Sequence, residues 1–308
     1  MGLYDRLADW PRRAADLPVV PPPHGVLLAD PADFAVVEIH NPHMAGARGE
    51  PHRVDPDAAR AEWLQLAGAY SGIGQRVEVL VAPGGLPDLC FAANPSLLLP
   101  LPAGCEAWLA RMVHPSRRAE VAVHRDWYAA HGYPVRELPP EVKRCEGGGD
   151  GVPHPGRHLL HAGVGPRSER AAWAALAAAH PALDVLVYAL KDPRFYHLDT
   201  ALAALDEQTC LYAPEAFDAH GVALLRAAFP EAIAVPHAEA MNFAANAHCP
   251  DGRHVLLPRG NPFTERALKQ RGFTPMPLAT AEFQKSGGSV YCLKQSLYPP
   301  PAAPRIGA

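Results

Sequence analysis

A cysteine behind a glycine pair is the first place where this sequence could do covalent chemistry, in Ser286-Gly-Gly-Ser-Val-Tyr-Cys292-Leu-Lys294. A thiolate is a good nucleophile at neutral pH when a base or a positive charge lowers the thiol pKa. The glycines permit a bend and a close backbone approach, so Cys292, at the start of a last strand, could face a central cavity. The alternative, a small buried hydrophobe, is the commoner role of an isolated Cys. A second segment reads Phe195-Tyr-His197-Leu-Asp199-Thr. In a strand, positions 197 and 199 share one side, which would put an imidazole and a carboxylate in one pocket. The His can shuttle protons, and the Asp can bind a cation or tune the His. A satisfied core His beside a surface Asp is the plainer account of the same residues.

Further carboxylates flank two glycine-bearing segments. In Gly85-Leu-Pro-Asp88-Leu-Cys-Phe-Ala-Ala-Asn94, Asp88 either shapes a turn after proline or points inward ahead of an apolar run. Cys145-Glu146-Gly-Gly-Gly-Asp150 adds two acids around a flexible loop. That loop is no phosphate cradle: it lacks the P-loop and dinucleotide spacings, and its acids would repel phosphate. Arg117, Arg118 and Arg167 stand near the starts of expected helices, where a guanidinium suits a substrate carboxylate, although a surface Arg is the commoner case. Sixteen histidines raise the question of metal, but no HExxH or His/Cys quartet is present. No metal is expected, and a serine triad lacks its GxSxG.

Five stretches with helical periodicity would position these residues: about 57–71, 116–131, 168–180, 221–229 and 262–271. Ser168 with Glu169 behind it, and Asn261 before Pro262, read as helix starts. Strand-like runs lie between them at 77–82, 97–100, 107–113, 184–190, 209–212, 254–257 and 289–297, with 34–39 as the first buried strand. Residues 249–253 read as a hairpin turn. Helices recurring every 40–60 residues or so suggest repeated units of a few strands and one helix, as in propeller-like folds. No repetition is read at the level of residues, and an ordinary α/β sandwich fits the same order.

The chain is long enough for one large domain or two medium ones. No Pro/Gly/Ser linker splits it. Residues 1–23, ending in Pro21-Pro22-Pro23, read as a poorly ordered extension with one short helix. Residues 24–298 read as one catalytic domain, and 299–308 as a proline-rich tail. The formal net charge is −4, with both signs interspersed, which argues against a nucleic-acid partner. No apolar run is long enough to span a bilayer, and the first residues lack the apolar stretch of a secretory signal. Six scattered cysteines without a CxxC pair point to a reducing, cytoplasmic setting.

The order of these segments carries more than any one of them. Pro-Asp88-Leu-Cys-Phe-Ala-Ala-Asn94, Glu146-Gly-Gly-Gly-Asp150, Gly165-Pro-Arg167-Ser, Tyr-His197-Leu-Asp199-Thr and Ser286-Gly-Gly-Ser-Val-Tyr-Cys292 run in series. In this the sequence resembles the guanidino-group-modifying enzyme superfamily, the amidinotransferase or pentein family. Its members include dimethylarginine dimethylaminohydrolases, arginine deiminases, arginine dihydrolases and glycine amidinotransferases. The likeness runs from about residue 26 to 297, and Asn41-Pro-His-Met44 resembles an opening motif of some members.

The resemblance implies an α/β fold, a five-bladed propeller of pseudo-fivefold ββαβ modules with the site on its axis. It implies Cys292 as nucleophile, His197 as acid and base, and Glu146 beside them. Asp88 and Asp199 would grip the guanidinium, near Asn94, while Arg167 and Arg118 (or Arg117) would hold the substrate carboxylate. No cofactor is implied; the partner is a small guanidino compound, with room for a homodimer. Three positions depart from common patterns. Asn94 stands where many deiminases and dimethylarginine hydrolases carry an acid, and arginine-dihydrolase-like members have Asn there. Glu146 and Asp150 lie four apart, where deiminases have Glu-Gly-Gly-Asp. Asp199 is acidic as in deiminases, where dimethylarginine hydrolases often have Lys. Implied activities are hydrolysis to a ureido product plus ammonia or alkylamine, double hydrolysis to an amine, or amidino transfer. A non-catalytic arginine-binding member of the same fold is the rival from another class.

Overall fold

The computed structural model describes residues 2–81 and 83–301. Its five long helices are Pro56–Gly72, Arg118–Ala130, Arg170–Ala179, Ala219–Ala228 and Pro262–Gln270, each within a few residues of the periodicity in the sequence. In the first of them Ala59, Trp63, Leu66 and Tyr70 recur at helical spacing and are buried. They pack on Val26, Leu28 and Phe283, where each large side chain contributes about 1.5–3 kcal/mol. Asp55 caps this helix through the amides of Asp57 and Ala58.

The described strands form five separate small sheets. Four repeat one plan: an antiparallel pair, then a helix, then a third strand parallel to the middle one. Ser96–Leu101 pairs antiparallel with Gly104–Leu109, which pairs in parallel with Val135–Arg136. The same order runs through Gly151–Pro153, Leu159–Val164 and Asp184–Ala189, and through Leu202–Ala204, Cys210–Tyr212 and Ile233–Ala234. Each parallel step needs a crossover, and the long helices supply it. In another sheet the pair is made by distant chain regions, because Lys294–Leu297 runs antiparallel to Gly25–Ala29, itself parallel to Arg76–Leu80. The last sheet, His254–Pro258 with Thr274–Leu278, keeps only a bridge from His248 to Leu256 on its antiparallel side. Strands of the antiparallel pairs are continuous buried runs, such as Ser96-Leu-Leu-Leu-Pro100, while the outer strand Arg76–Leu80 is half exposed.

Several expectations are corrected. Residues 34–39 are not a strand: they bend, burying Phe34 and Val36 and exposing Val37 and Ile39. The first buried strand of the domain is Gly25–Ala29, five residues with no alternation to mark them. Residues 2–23 of the expected loose extension are packed down. Leu3–Tyr4 adds a parallel edge strand to Asp184–Ala189. Trp10, Ala14 and Leu17 join the largest core cluster, and the Trp10 indole donates to Asp184 Oδ2 at 3.0 Å. Residues 107–113 are strand only to Leu109, and strand structure in 289–297 begins at Lys294 after a turn. Ser168 and Asn261 make no side-chain cap. The Glu239 carboxylate instead accepts from the amides of Phe263 and Thr264. Ala82, expected to end a strand, and 302–308 of the proline-rich tail lie outside the described residues. Among the described residues no helix is long and apolar enough to cross a membrane.

Candidate active site

Cys292 Sγ lies 3.1 Å from Asp199 Oδ2 and 3.2 Å from the Asn246 amide nitrogen. The thiol sits in the turn before the terminal strand, which Gly287 and Gly288 shape. Gly287 has φ +86°, a conformation costly for other residues. A Cβ on Gly288 would stand 2.6 Å from the Phe91 ring and 3.0 Å from Cys292 Cβ. Asn246 ties the turn together: its Oδ1 accepts from the Ser289 amide at 2.9 Å, and its Nδ2 donates to the Asp199 carbonyl at 2.8 Å. Burial, then the neighbouring Asp199 carboxylate, push the Cys292 thiol well up, so at rest it donates to Asp199. Burial likewise raises the Asp199 carboxyl to about 7, against the opposing hydrogen bond from Cys292. Asp199 Oδ1 is buried without a partner among the described residues.

His197 and Asp199 reach the site from a 3-10 turn, Leu198–Thr200, rather than from the expected strand. His197 Nε2 lies 2.8 Å from Glu146 Oε2, which also accepts from Arg167 Nη1 at 2.8 Å. Burial alone would raise the Glu146 carboxyl. The hydrogen bond to His197 and the Arg167 charge outweigh it and hold the group below the usual carboxylate range. Asp150 Oδ1 accepts from the Leu198 amide at 3.0 Å, fixing the turn. Gly149 is required here because a Cβ would meet the Asn94 amide and the His197 ring. Backbone bonds from Gly148 to Ala93 (2.8 Å) and from Ala93 to Cys292 (3.1 Å) tie three distant segments at one point.

Asp88, Asn94 and Arg167 line a tight pocket of about 10 Å³ together with Arg117, Tyr196 and Ser286. His40, Asn41 and Met44 line it too. Cys292, His197 and Asp199 are not among its lining residues and are almost fully buried. Arg117 Nη1 donates to Asn94 Oδ1 at 2.9 Å, and its Nη2 donates to the Asp88 carbonyl and to Glu120. Arg167 Nη2 donates to the His40 carbonyl, and its guanidinium lies over the Tyr196 ring. Arg118 is a correction. It is exposed, and its guanidinium lines cavities on the other side of its helix start, with Val121 and Arg111. Pro115–Arg117 is a 3-10 turn that sends residue 117, not 118, inward.

Arg117 and Arg118 were indistinguishable by type, and Asn246, Tyr196 and Glu120 carry no signal as single residues. Asn246 had one signal: Phe91-Ala-Ala-Asn94 recurs as Phe243-Ala-Ala-Asn246. In both copies the Asn amide bonds to the Phe carbonyl. A residue-level repeat is therefore present, and it places one asparagine beside His197 and the other beside Cys292. Among the described residues no group of three or more His, Cys, Asp or Glu side chains is placed to hold a metal ion. All six cysteines are buried and unpaired.

No family model matches the sequence. The chain is 35% identical over 272 residues to the N(G),N(G)-dimethylarginine dimethylaminohydrolase of Mycobacterium tuberculosis, spanning 88% of this chain and 85% of that protein. The chain belongs to the guanidino-group-modifying enzyme superfamily. A second relative within this superfamily is the bifunctional arginine dihydrolase/ornithine cyclodeaminase AgrE of Nostoc, 33% identical over 273 residues; the match spans 87% of this chain but 37% of that protein. Among solved structures, the product-bound N-terminal domain of ArgZ, a cyanobacterial arginine dihydrolase, superposes with a TM-score of 0.82 at 29% identity. That match covers 89% of this chain and 97% of that domain. A dimethylarginine dimethylaminohydrolase adduct at 21% identity and TM-score 0.74 shares the fold.

Proposed function

We propose that this chain is a cysteine-dependent hydrolase of the guanidinium group of arginine or an arginine derivative. It works through a covalent thiouronium adduct on Cys292 and gives a ureido product plus ammonia or alkylamine. The observation that carries this reading is the 3.1 Å contact of Cys292 with Asp199, two residues from a His197 that leans on Glu146 at 2.8 Å. Family membership supports it, and so does the guanidino chemistry in the relatives' names. In the same reading the five sheets are the blades of a five-bladed α/β propeller with this site on its axis.

A guanidinium carbon is a poor electrophile because charge and resonance stabilise the ground state. Asp88 and Asp199 fix its plane and favour the charge-localised tetrahedral form. The arriving cation depresses the raised thiol pKa; as sulfur attacks the carbon, Cys292 gives its proton to the Asp199 carboxylate it already faces, which returns it when the sulfur leaves. His197, held by Glu146, protonates the departing nitrogen. It then takes a proton from the water that splits the adduct and frees the thiol. Arg117, spent on Glu120, Asn94 and the Asp88 carbonyl, positions Asp88 and Asn94. Arg167, whose Nη2 reaches the His40 carbonyl at the pocket, takes the substrate carboxylate.

Cys292→Ala should abolish turnover of arginine, methylated arginines, agmatine and guanidino acids. Quenched wild type should show a mass adduct on Cys292. Full turnover in Cys292→Ala ends the proposal. A second reading, double hydrolysis to the amine, carbon dioxide and ammonia, is favoured by Asn94. Its Nδ2 is buried without a partner and is free to steer a second water. With guanidino-labelled arginine, labelled citrulline supports one step and labelled carbon dioxide with ornithine supports two.

A further inference from the structure

Among the described residues, Phe243 is the one non-glycine in the left-handed region, with φ +59°. That conformation is costly for a bulky side chain, and just past a helix end it is usually taken by glycine. Phe243 follows the short helix His237–Met241. Its amide bonds to the Ala240 carbonyl at 3.0 Å, and the Ala244 amide reaches back to the Glu239 carbonyl at 2.9 Å. The chain therefore reverses at once. Burial and contact with the His43 ring, centroids 4.8 Å apart, hold Phe243 in place. What the reversal delivers is the side-chain amide of Asn246.

Asn246 is fully buried, and all four of its side-chain hydrogen-bonding positions are filled. Oδ1 accepts from the Ser289 amide at 2.9 Å and, more loosely, from the Cys292 amide at 3.4 Å. Nδ2 donates to the Asp199 carbonyl at 2.8 Å and to Cys292 Sγ at 3.2 Å. These partners fix which way the amide faces. Two backbone N–H groups claim its oxygen and a carbonyl claims its nitrogen, so an N–H meets the sulfur. Three of the four bonds hold backbone. The fourth holds the atom that reacts, and among the described residues no other side chain donates to it. In the related segment Phe91–Asn94 the phenylalanine has no positive φ, and Asn94 Nδ2 has no partner among the described residues. The strained copy of the motif is the one at the sulfur.

We infer that Asn246 is a catalytic residue: its Nδ2–H is the donor that receives the Cys292 sulfur as that sulfur becomes anionic. This rests on the proposed role of Cys292. At rest the S–H points at Asp199 Oδ2 while the sulfur accepts from Asn246. On attack the S–H bond breaks and the proton passes to the Asp199 carboxylate. Asn246 keeps its own proton and meets the lone pair left on sulfur. When the adduct breaks, the same N–H favours sulfur as the leaving group. Burial and the Asp199 carboxylate push the Cys292 thiol up, and the Asn246 bond pulls it down. A neutral donor does this without placing another charge in the core.

The test reads the sulfur directly. Wild type, Asn246→Ser and Asn246→Asp are alkylated with iodoacetamide without substrate, from about pH 6 to 10, and the Cys292 peptide is followed by mass spectrometry. Asn246→Ser removes the donor without adding charge. Asn246→Asp keeps an oxygen for the Ser289 amide, and decides the matter if Asn246→Ser does not fold. Expected in both is an upward move of the alkylation midpoint by about one pH unit, with a roughly tenfold slower reaction at pH 8. Turnover of the guanidino substrate should show a similar fall in kcat with KM little changed. An asparagine that only braces the turn would leave Asn246→Asp alkylating like wild type, and superimposable profiles overturn the inference. A shift in Asn246→Asp alone, with a folded Asn246→Ser like wild type, is the added charge and overturns it too. Shifted profiles in a protein that turns over no guanidino compound uphold it while sinking the proposed function.

Discussion

One carboxylate oxygen, Glu146 Oε2, stands 2.8 Å from His197 Nε2, and Arg167 Nη1 meets the same oxygen at 2.8 Å. The imidazole is oriented by a group that is itself neutralised, and the site is wired so that losing Glu146 frees a buried guanidinium and a buried ring together.

Glu146→Gln should therefore lower kcat by about 10²–10⁴, the range of general acid–base catalysis. It should also cost stability on the order of 3–5 kcal/mol, because Arg167 is left without its counter-charge. Steady-state kinetics and urea unfolding measure the two effects. A kcat within a few-fold of wild type would remove Glu146 from the mechanism.

Arg117 and its neighbour should behave oppositely. Arg117→Met strands the buried Glu120 carboxylate, and the expected loss is about 3–5 kcal/mol with a raised KM as Asp88 and Asn94 lose their anchor. Arg118→Ala changes an exposed residue and should stay within about 0.5 kcal/mol with unaltered kinetics. A kinetic defect confined to Arg118→Ala would reverse this assignment.

Asp199 gives a pH signature. Its folded-state carboxyl titrates at about 7, against an ordinary value of 3.8. Between those values the native state holds a proton that the unfolded chain has released. Stability therefore falls as pH rises from about 4 to about 7, by an amount on the order of a few kcal/mol. Asp199→Asn should flatten that slope in urea unfolding across this window, and an unchanged slope would mean the carboxyl is ionised throughout.

Gly288→Ala tests the turn that aims the nucleophile. The added methyl collides with Phe91 and crowds Cys292 Cβ. Displacing the sulfur by a fraction of an ångström should lower kcat by about 10²-fold, with circular dichroism unchanged. Near-normal turnover would show that the turn has slack.

The long helices and the most buried strands were legible in the sequence because each carries an apolar period or run of its own. Outer strands such as Val135–Arg136 and Ile233–Ala234 span two residues, too short for any period, and only their partners define them. Cys292, His197, Asp88 and Glu146 could be nominated by type and by family likeness. The Glu146–His197 contact does not follow from strand alternation, because His197 arrives on a 3-10 turn. Arg117 and Arg118 could not be told apart in the sequence, because one residue of rotation separates the buried side from the exposed one.

The last strand, Lys294–Leu297, lies against Gly25–Ala29, the first buried strand of the domain. That pairing works like a clasp on a bracelet: the sulfur at position 292 is delivered only when the last segment docks on the first. The turn that carries Cys292 is therefore set by a pairing between segments far apart in the chain, and cutting away Lys294–Leu297 would remove it.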